Sequence, residues 1–273
     1  MTFIFQKDEI TDETAFATVS FNQLSEFIKQ EYQLNSNTYV AKLPTNGMFV
    51  YDGAGQASHS LRLNRTVISE YMDNKYEIRL NSNTQEIGEY IYLEDAYLIQ
   101  KEIGKVFLLL TMNMASDDYI TTVYDISTGE LIQTDKQSDI HFDSAPISSQ
   151  RLEMAVNLDV LGSYVTQMDY CLDDSGKLIP QSNVFRVMNQ DENAFYMTTI
   201  KELPVIMEGK ETVLPVGTRI CITATDNQGV AYFRVEETKQ EGEIHYTTSE
   251  DEWGCSIQGI SDMEYFDMVP YAG

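Results

Sequence analysis

The chain has 273 residues, with 18 Lys and Arg against 43 Asp and Glu, a formal net charge of −25. So acidic a chain has no basic surplus with which to neutralise nucleic-acid phosphates, and anionic lipid surfaces repel it. A hydrophobic fraction of 42%, with 17 Tyr and 12 Phe, is far above a disordered composition, and the length accommodates one or two domains.

In chain order, the N-terminus Met1-Thr2-Phe3-Ile4-Phe5-Gln6-Lys7-Asp8 lacks the basic start and apolar core of a signal peptide. Two readings follow: a cytoplasmic protein, or a mature fragment trimmed of an export signal. Helix is expected in three places. In Phe21–Tyr32, Leu24, Phe27, Ile28 and Tyr32 share a face after a Ser20/Gln23 capping box. In Arg65–Tyr76, the stripe is Val67, Ile68, Tyr71 and Met72. Gln150–Val156 is the third and shortest.

Strand signals dominate the rest. Tyr76–Leu80, Glu89–Leu93, Tyr97–Lys101, Tyr164–Tyr170, Asn183–Met188 and Phe195–Ile200 are rich in β-branched and aromatic residues, with polar breaks at Asn81–Thr84 and Asn113–Asp117. Val106-Phe107-Leu108-Leu109-Leu110 is apolar on both faces, which suits a central strand covered on both sides. It is also the longest apolar run, far short of the ~20 residues that a helix needs to cross a bilayer. Asp118–Ile126, the turn Ser127-Thr128-Gly129-Glu130 and Leu131-Ile132 spell a hairpin. Tyr170–Leu172, Asp173-Asp174-Ser175-Gly176 and Leu178-Ile179 spell another 47 residues further on, and Val50–Gly55 is a fainter echo. Propeller blades recur at roughly 40–50 residues, so residues 1–200 are read as a β-rich domain of antiparallel sheets, either partly propeller-like or a sandwich.

Residues 201–273 read as a separate unit with turns at Met207–Lys210, Leu214–Thr218 and Asp226–Gly229, a spacing that suggests a small barrel. Leu214-Pro215-x-Gly217-Thr218, an alternating strand, the Asp226–Gly229 turn and the Tyr232-Phe233-Arg234-Val235 strand resemble the bacterial SH3-like barrel. Trp253-Gly254 reverses the Gly-Trp pair of that pattern, and Gly242–Glu252 is longer and more acidic than its usual connection. With its Tyr-rich acidic β region and its Glu264-Tyr265-Phe266 ending, the whole chain resembles uncharacterised exported proteins of Gram-positive bacteria. The resemblance implies an extracellular or cell-surface protein, with a cell-wall glycan or peptide as its partner.

The sequence holds no zinc spacing around His59, His141 and His245, no GxSxG elbow and no phosphate-binding glycine loop, so no catalytic residue, metal or cofactor is assigned. Carboxylates are numerous enough for a glycosidase pair, but no motif anchors one. A carboxylate-dependent hydrolase in the N-terminal domain is therefore the alternative to a non-catalytic binding protein. Asp117-Asp118, Asp173-Asp174 and Glu250-Asp251-Glu252 are oxygen-rich, yet none has calcium-loop spacing, and Asp173–Gly176 is explained as a turn. The odd count of Cys171, Cys221 and Cys255 leaves at least one thiol unpaired. They read as small buried hydrophobes, with a Cys221–Cys255 disulfide as the other reading. Period-2 alternation in Val230–Val235 sends Ala231, Phe233 and Val235 to the core and Tyr232 and Arg234 outward. With Tyr246 and Trp253 these make the candidate ligand-binding set, since aromatic platforms with a few polar groups bind sugars and extended peptides.

Overall fold

The computed structural model describes residues 2–5, 17–20, 39–43, 48–52, 58–67, 74–90, 92–101, 104–114, 118–146, 148–188, 194–248 and 254–271. The protein is mainly β, with antiparallel sheets throughout. Among the described residues, helix is confined to one 3-10 turn, Asp262–Glu264. The expected helix at Phe21–Tyr32 lies outside the described residues. The other two helices are corrected. Arg65–Val67 ends the strand Ser58–Val67, which pairs antiparallel with Asn74–Leu80, and Leu152–Asp159 is a strand. Period 2 wins in both places: His59, Leu61 and Leu63 are buried in turn, as are Leu152 and Met154.

The chain forms two compact units: Met1–Glu153 with Tyr170–Ile179, and Met154–Asp169 with Pro180–Gly273. The sequence reading put its boundary near residue 200. The strands Leu152–Asp159 and Ser163–Leu172 are each divided between the units.

In the first unit, Tyr39–Lys42, Tyr92–Gln100, Val106–Asn113, Tyr119–Asp125 and Ile132–Ser138 hydrogen-bond side by side in that order. A second sheet runs Met48–Asp52, Ser58–Val67, Asn74–Leu80 and Asn83–Tyr90. Leu61, Leu63, Ile78 and Leu80 of the second sheet join Leu98, Leu108 and Leu110 of the first in one core. The pair Thr2–Phe5 and Ala17–Ser20 forms a separate two-stranded ladder.

Val106–Asn113 is the third of five strands, and all eight of its residues are buried, as its unbroken apolar run predicts. Its second face is covered as well. Tyr97, opposite Leu109, meets Phe142 edge-on at 4.8 Å. The Asp173–Lys177 turn is seated near Phe107 and Thr134, with the Thr134 hydroxyl donating to the Gly176 carbonyl at 2.9 Å. Both hairpins written in the sequence are present, and Gly129 and Gly176 each carry φ +81. Asp173 Oδ1 accepts the backbone N–H groups of Ser175 and Lys177 at 2.8 Å. The buried Lys101 ammonium donates to the Leu172 carbonyl at 2.7 Å and to Asp174 at 2.6 Å, clamping the same turn.

In the second unit the ladder runs through Ser163–Leu172, Phe185–Val187, Arg219–Thr225, Val230–Val235, Glu241–His245, Leu203–Met207 and Lys210–Leu214, with Met197–Thr198 also on Arg219–Thr225. Among the described residues this path is open and ends at Lys210–Leu214. Its core gathers Ile220, Ile222, Ala231, Phe233, Ile244 and Phe266. Residues 198–200 are flanked by 265–267. Thr199 bridges Phe266, the Ile200 N–H donates to the Tyr265 carbonyl at 2.8 Å, and Asp267 N–H to the Thr198 carbonyl at 2.9 Å.

Candidate functional site

The alternation expected in Val230–Val235 is the one observed. Ala231, Phe233 and Val235 are buried, whereas Val230, Tyr232 and Arg234 are half-exposed. Residues paired directly across antiparallel strands project from the same face. Tyr232 is paired with Ala224 on one side and Glu243 on the other, and Ala224 is paired in turn with Arg186. Arg234 is paired with Cys221 and Glu241. Arg219 stands two residues before Cys221 on the same strand and so shares that face. Its guanidinium lies 5.3 Å from the Tyr196 ring centroid, within cation–π reach, and meets Glu236 at 2.5 Å.

The sheet therefore gathers Tyr196, Tyr232, Arg186, Arg219 and Arg234 on one face, and the same pairing places Glu241 and Glu243 there with them, next to the Arg219–Glu236 ion pair. The Arg234 guanidinium lies within interaction distance of the Cys221 thiol and the Tyr196 hydroxyl. Its Nε is shielded from solvent and has no hydrogen-bond partner among the described residues.

Of the four residues expected to bind ligand, the structure brings Tyr232 and Arg234 together. Tyr246 belongs to the core instead. It is 5% exposed, its hydroxyl is 3.4 Å from that of Thr225, and burial raises the phenol pKa. Trp253 lies outside the described residues. Tyr196, Arg186 and Arg219 escape sequence reasoning because they join the face through sheet order, not through local pattern.

The cysteines are free thiols, so no Cys221–Cys255 disulfide forms; both are buried, and Cys171 is partly so. Cys255 sits in a second polar cluster. Asp262, with no exposed surface, accepts the Met263 N–H at 2.8 Å, the Cys255 N–H at 3.3 Å and the Tyr271 hydroxyl at 2.5 Å. Burial raises the pKa of the Cys255 thiol, and burial together with the Asp262 hydrogen bond raises that of the Tyr271 phenol. The Asp262 contacts tie residues 255, 263 and 271 together, and the Cys255 thiol also meets the Leu161 backbone.

The histidines are dispersed. His59 packs on the Gly129 turn with Nδ1 3.1 Å from the Asn81 amide nitrogen, His141 stacks on Tyr119 at 4.0 Å, and His245 is 3.7 Å from Glu243. Among the described residues, no three His, Cys, Asp or Glu side chains are arranged to hold a metal. Asp173 is occupied by the turn hydrogen bonds described above, and Glu250–Glu252 lies outside the described residues. A cleft of about 220 Å³ in the first unit is lined by Ile78, Leu80 and Leu131 with Asn83, Thr84 and Gln85, and Glu130 is the carboxylate among its lining residues, where glycoside hydrolysis ordinarily uses two. No helix among the described residues is long and apolar enough to cross a membrane. No protein-family model matches the chain, and no curated protein or solved structure matches it.

Proposed function

We propose that the chain is a non-catalytic exported or cell-surface protein whose C-terminal part is an SH3-like barrel that docks a cell-wall glycan or peptide. The observation that carries this reading is the outward face on which Tyr232 and Arg234 meet Tyr196, Arg186 and Arg219. Rings and guanidinia side by side offer flat apolar contact together with directional hydrogen-bond donors. Sugars and extended peptides are held by that combination.

The barrel reading is supported by the three-stranded meander Arg219–Thr225, Val230–Val235 and Glu241–His245, by the hairpin Leu203–Met207/Lys210–Leu214 joined to it at Ile206 and Glu243, and by the return of 265–267 to 198–200. The core shared by the two sheets of the first unit favours a sandwich over propeller blades there. Export is inferred from the resemblance read in the sequence, and the charge of −25 fits a solvated surface that limits non-specific adhesion.

The test is co-sedimentation of the purified protein with intact Gram-positive cell walls, comparing wild type with Tyr232→Ala, both checked for folding by circular dichroism. Saturable pelleting by the wild type, about tenfold weaker in the folded variant, is the expected result, on the scale of an aromatic anchor. A wild type that stays in the supernatant overturns the reading.

A further inference from the structure

We infer that the Tyr232–Arg234 face binds the phosphodiester groups of an anionic wall polymer, with Arg186 and Arg234 as the phosphate-gripping residues. The inference rests on the wall-binding reading above and adds the chemistry of the ligand.

The argument begins with charge pairing. Arg219 is paired with Glu236 at 2.5 Å. Among the described residues, no carboxylate lies within ion-pair distance of Arg186 or Arg234; the ion pairs of this unit are Lys201–Glu264, Arg219–Glu236 and His245–Glu243. Glu241 is the direct cross-strand partner of Arg234, yet the guanidinium lies beside Cys221 and Tyr196 instead. Among the described residues, Arg186 and Arg234 thus form no ion pair, although Glu241 and Glu243 share their face by register. Both stand on that face by register: Arg186 through Ala224 to Tyr232, and Arg234 two residues along the strand from Tyr232.

The guanidinium then selects the ligand. It is a planar fork of donors that matches the oxygens of phosphate bidentately. Tyr232 lies between the two arginines in this lattice, and strand geometry spaces Tyr232 and Arg234 about 6.8 Å apart. An extended polymer that alternates sugar or polyol with phosphate presents ring or chain to the tyrosine and oxyanions to its neighbours. The repulsion of the remaining acid is screened beyond about 8–10 Å at physiological salt, so a contact at hydrogen-bond distance survives it.

The experiment uses two wall preparations, intact and stripped of phosphodiester-linked polymer by hydrofluoric acid, with wild type and Arg186→Gln/Arg234→Gln. The expected result is pelleting with intact walls that falls at least tenfold on stripped walls. The folded double variant should lose a similar factor on intact walls. Equal pelleting with both preparations overturns the phosphodiester assignment while leaving wall binding in place. A folded double variant that pellets like wild type overturns the assignment to these arginines. Failure to pellet with either preparation overturns the wall-binding reading itself. If the double variant misfolds, the comparison of the two preparations with wild type alone still decides the ligand chemistry.

Discussion

A methyl group at position 176 has nowhere to go. A Cβ built there falls 2.5 Å from the Thr134 hydroxyl and 2.7 Å from the Phe107 ring, and the backbone carries φ +81, a conformation that costs L-residues roughly 1–2 kcal/mol. The clash involves a side chain in the doubly covered strand, so the Asp173–Lys177 turn must lift or the core must yield. Gly176→Ala is therefore expected to destabilise the protein by about 2–4 kcal/mol, combining backbone strain with overpacking. Urea denaturation checks it, and a loss below about 1 kcal/mol would show that the turn moves away freely. The buried Lys101 ammonium is what makes such movement costly, since lifting the turn separates it from the Leu172 carbonyl and from Asp174.

At the scale of the strand, the second unit's ladder ends, among the described residues, at Lys210–Leu214, whose first four residues are exposed. Such an edge presents unpaired backbone groups to any passing chain, and charged side chains are the usual protection. Lys210 and Glu211 supply them here. Lys210→Val/Glu211→Val is expected to keep the fold and promote self-association, read as a concentration-dependent rise in mass by light scattering. A variant that stays monomeric at high concentration would show that other features guard the edge.

The same strands show how far the sequence could be read. The run Val106–Leu110 and the Gly129 and Gly176 hairpins were legible because their signals are local: an unbroken apolar stretch and a turn residue that tolerates positive φ. Arg65–Tyr76 misled because Val67, Ile68, Tyr71 and Met72 fall at helical spacing, while the alternation of His59, Leu61 and Leu63 just upstream carried the strand into Val67. Short apolar runs satisfy both periods, and packing decides between them. The candidate face was half legible. Tyr232 and Arg234 alternate within one strand, so period 2 found them. Arg186 joins only because Phe185–Val187 lies beside Arg219–Thr225, a pairing over about forty residues that no local pattern records. Tyr246 was misassigned because aromatic character alone does not distinguish a platform from a core ring.

For the whole molecule, stability should form a plateau bounded on both sides by titration. Asp173 is held below the ordinary carboxylate range by the Lys177 backbone N–H and by Ser175, Asp174 by the Lys101 ammonium, and Asp267 by the Thr198 N–H. Groups with lowered folded pKa contribute above the unfolded value of about 3.9, and the contribution fades as pH falls through the folded values. Asp174 and Asp267 are exposed and Asp173 is half-exposed, so each contribution is small. On the alkaline side, burial raises the phenols of Tyr164, Tyr170, Tyr246 and Tyr271. Their contribution is full below the unfolded value of about 10 and is lost as pH rises above it, because the unfolded chain ionises first. Calorimetry from pH 3 to 11 should thus find Tm falling below about pH 4 and above about pH 10. Asp173→Asn should make the acid limb shallower; an unchanged acid limb would remove Asp173 from the account.

The ladder between 198–200 and 265–267 bears on how the protein is made. Its two sides, Thr198 and Asp267, are separated by 69 positions. During synthesis the first side leaves the ribosome long before the second exists. Phe266 follows the other buried residues of that core in chain order. Until then, the residues it will cover face solvent or the chaperones that attend a nascent chain. Contacts so distant in sequence form late and slowly, so this stage of translation is when the second unit is most exposed to aggregation.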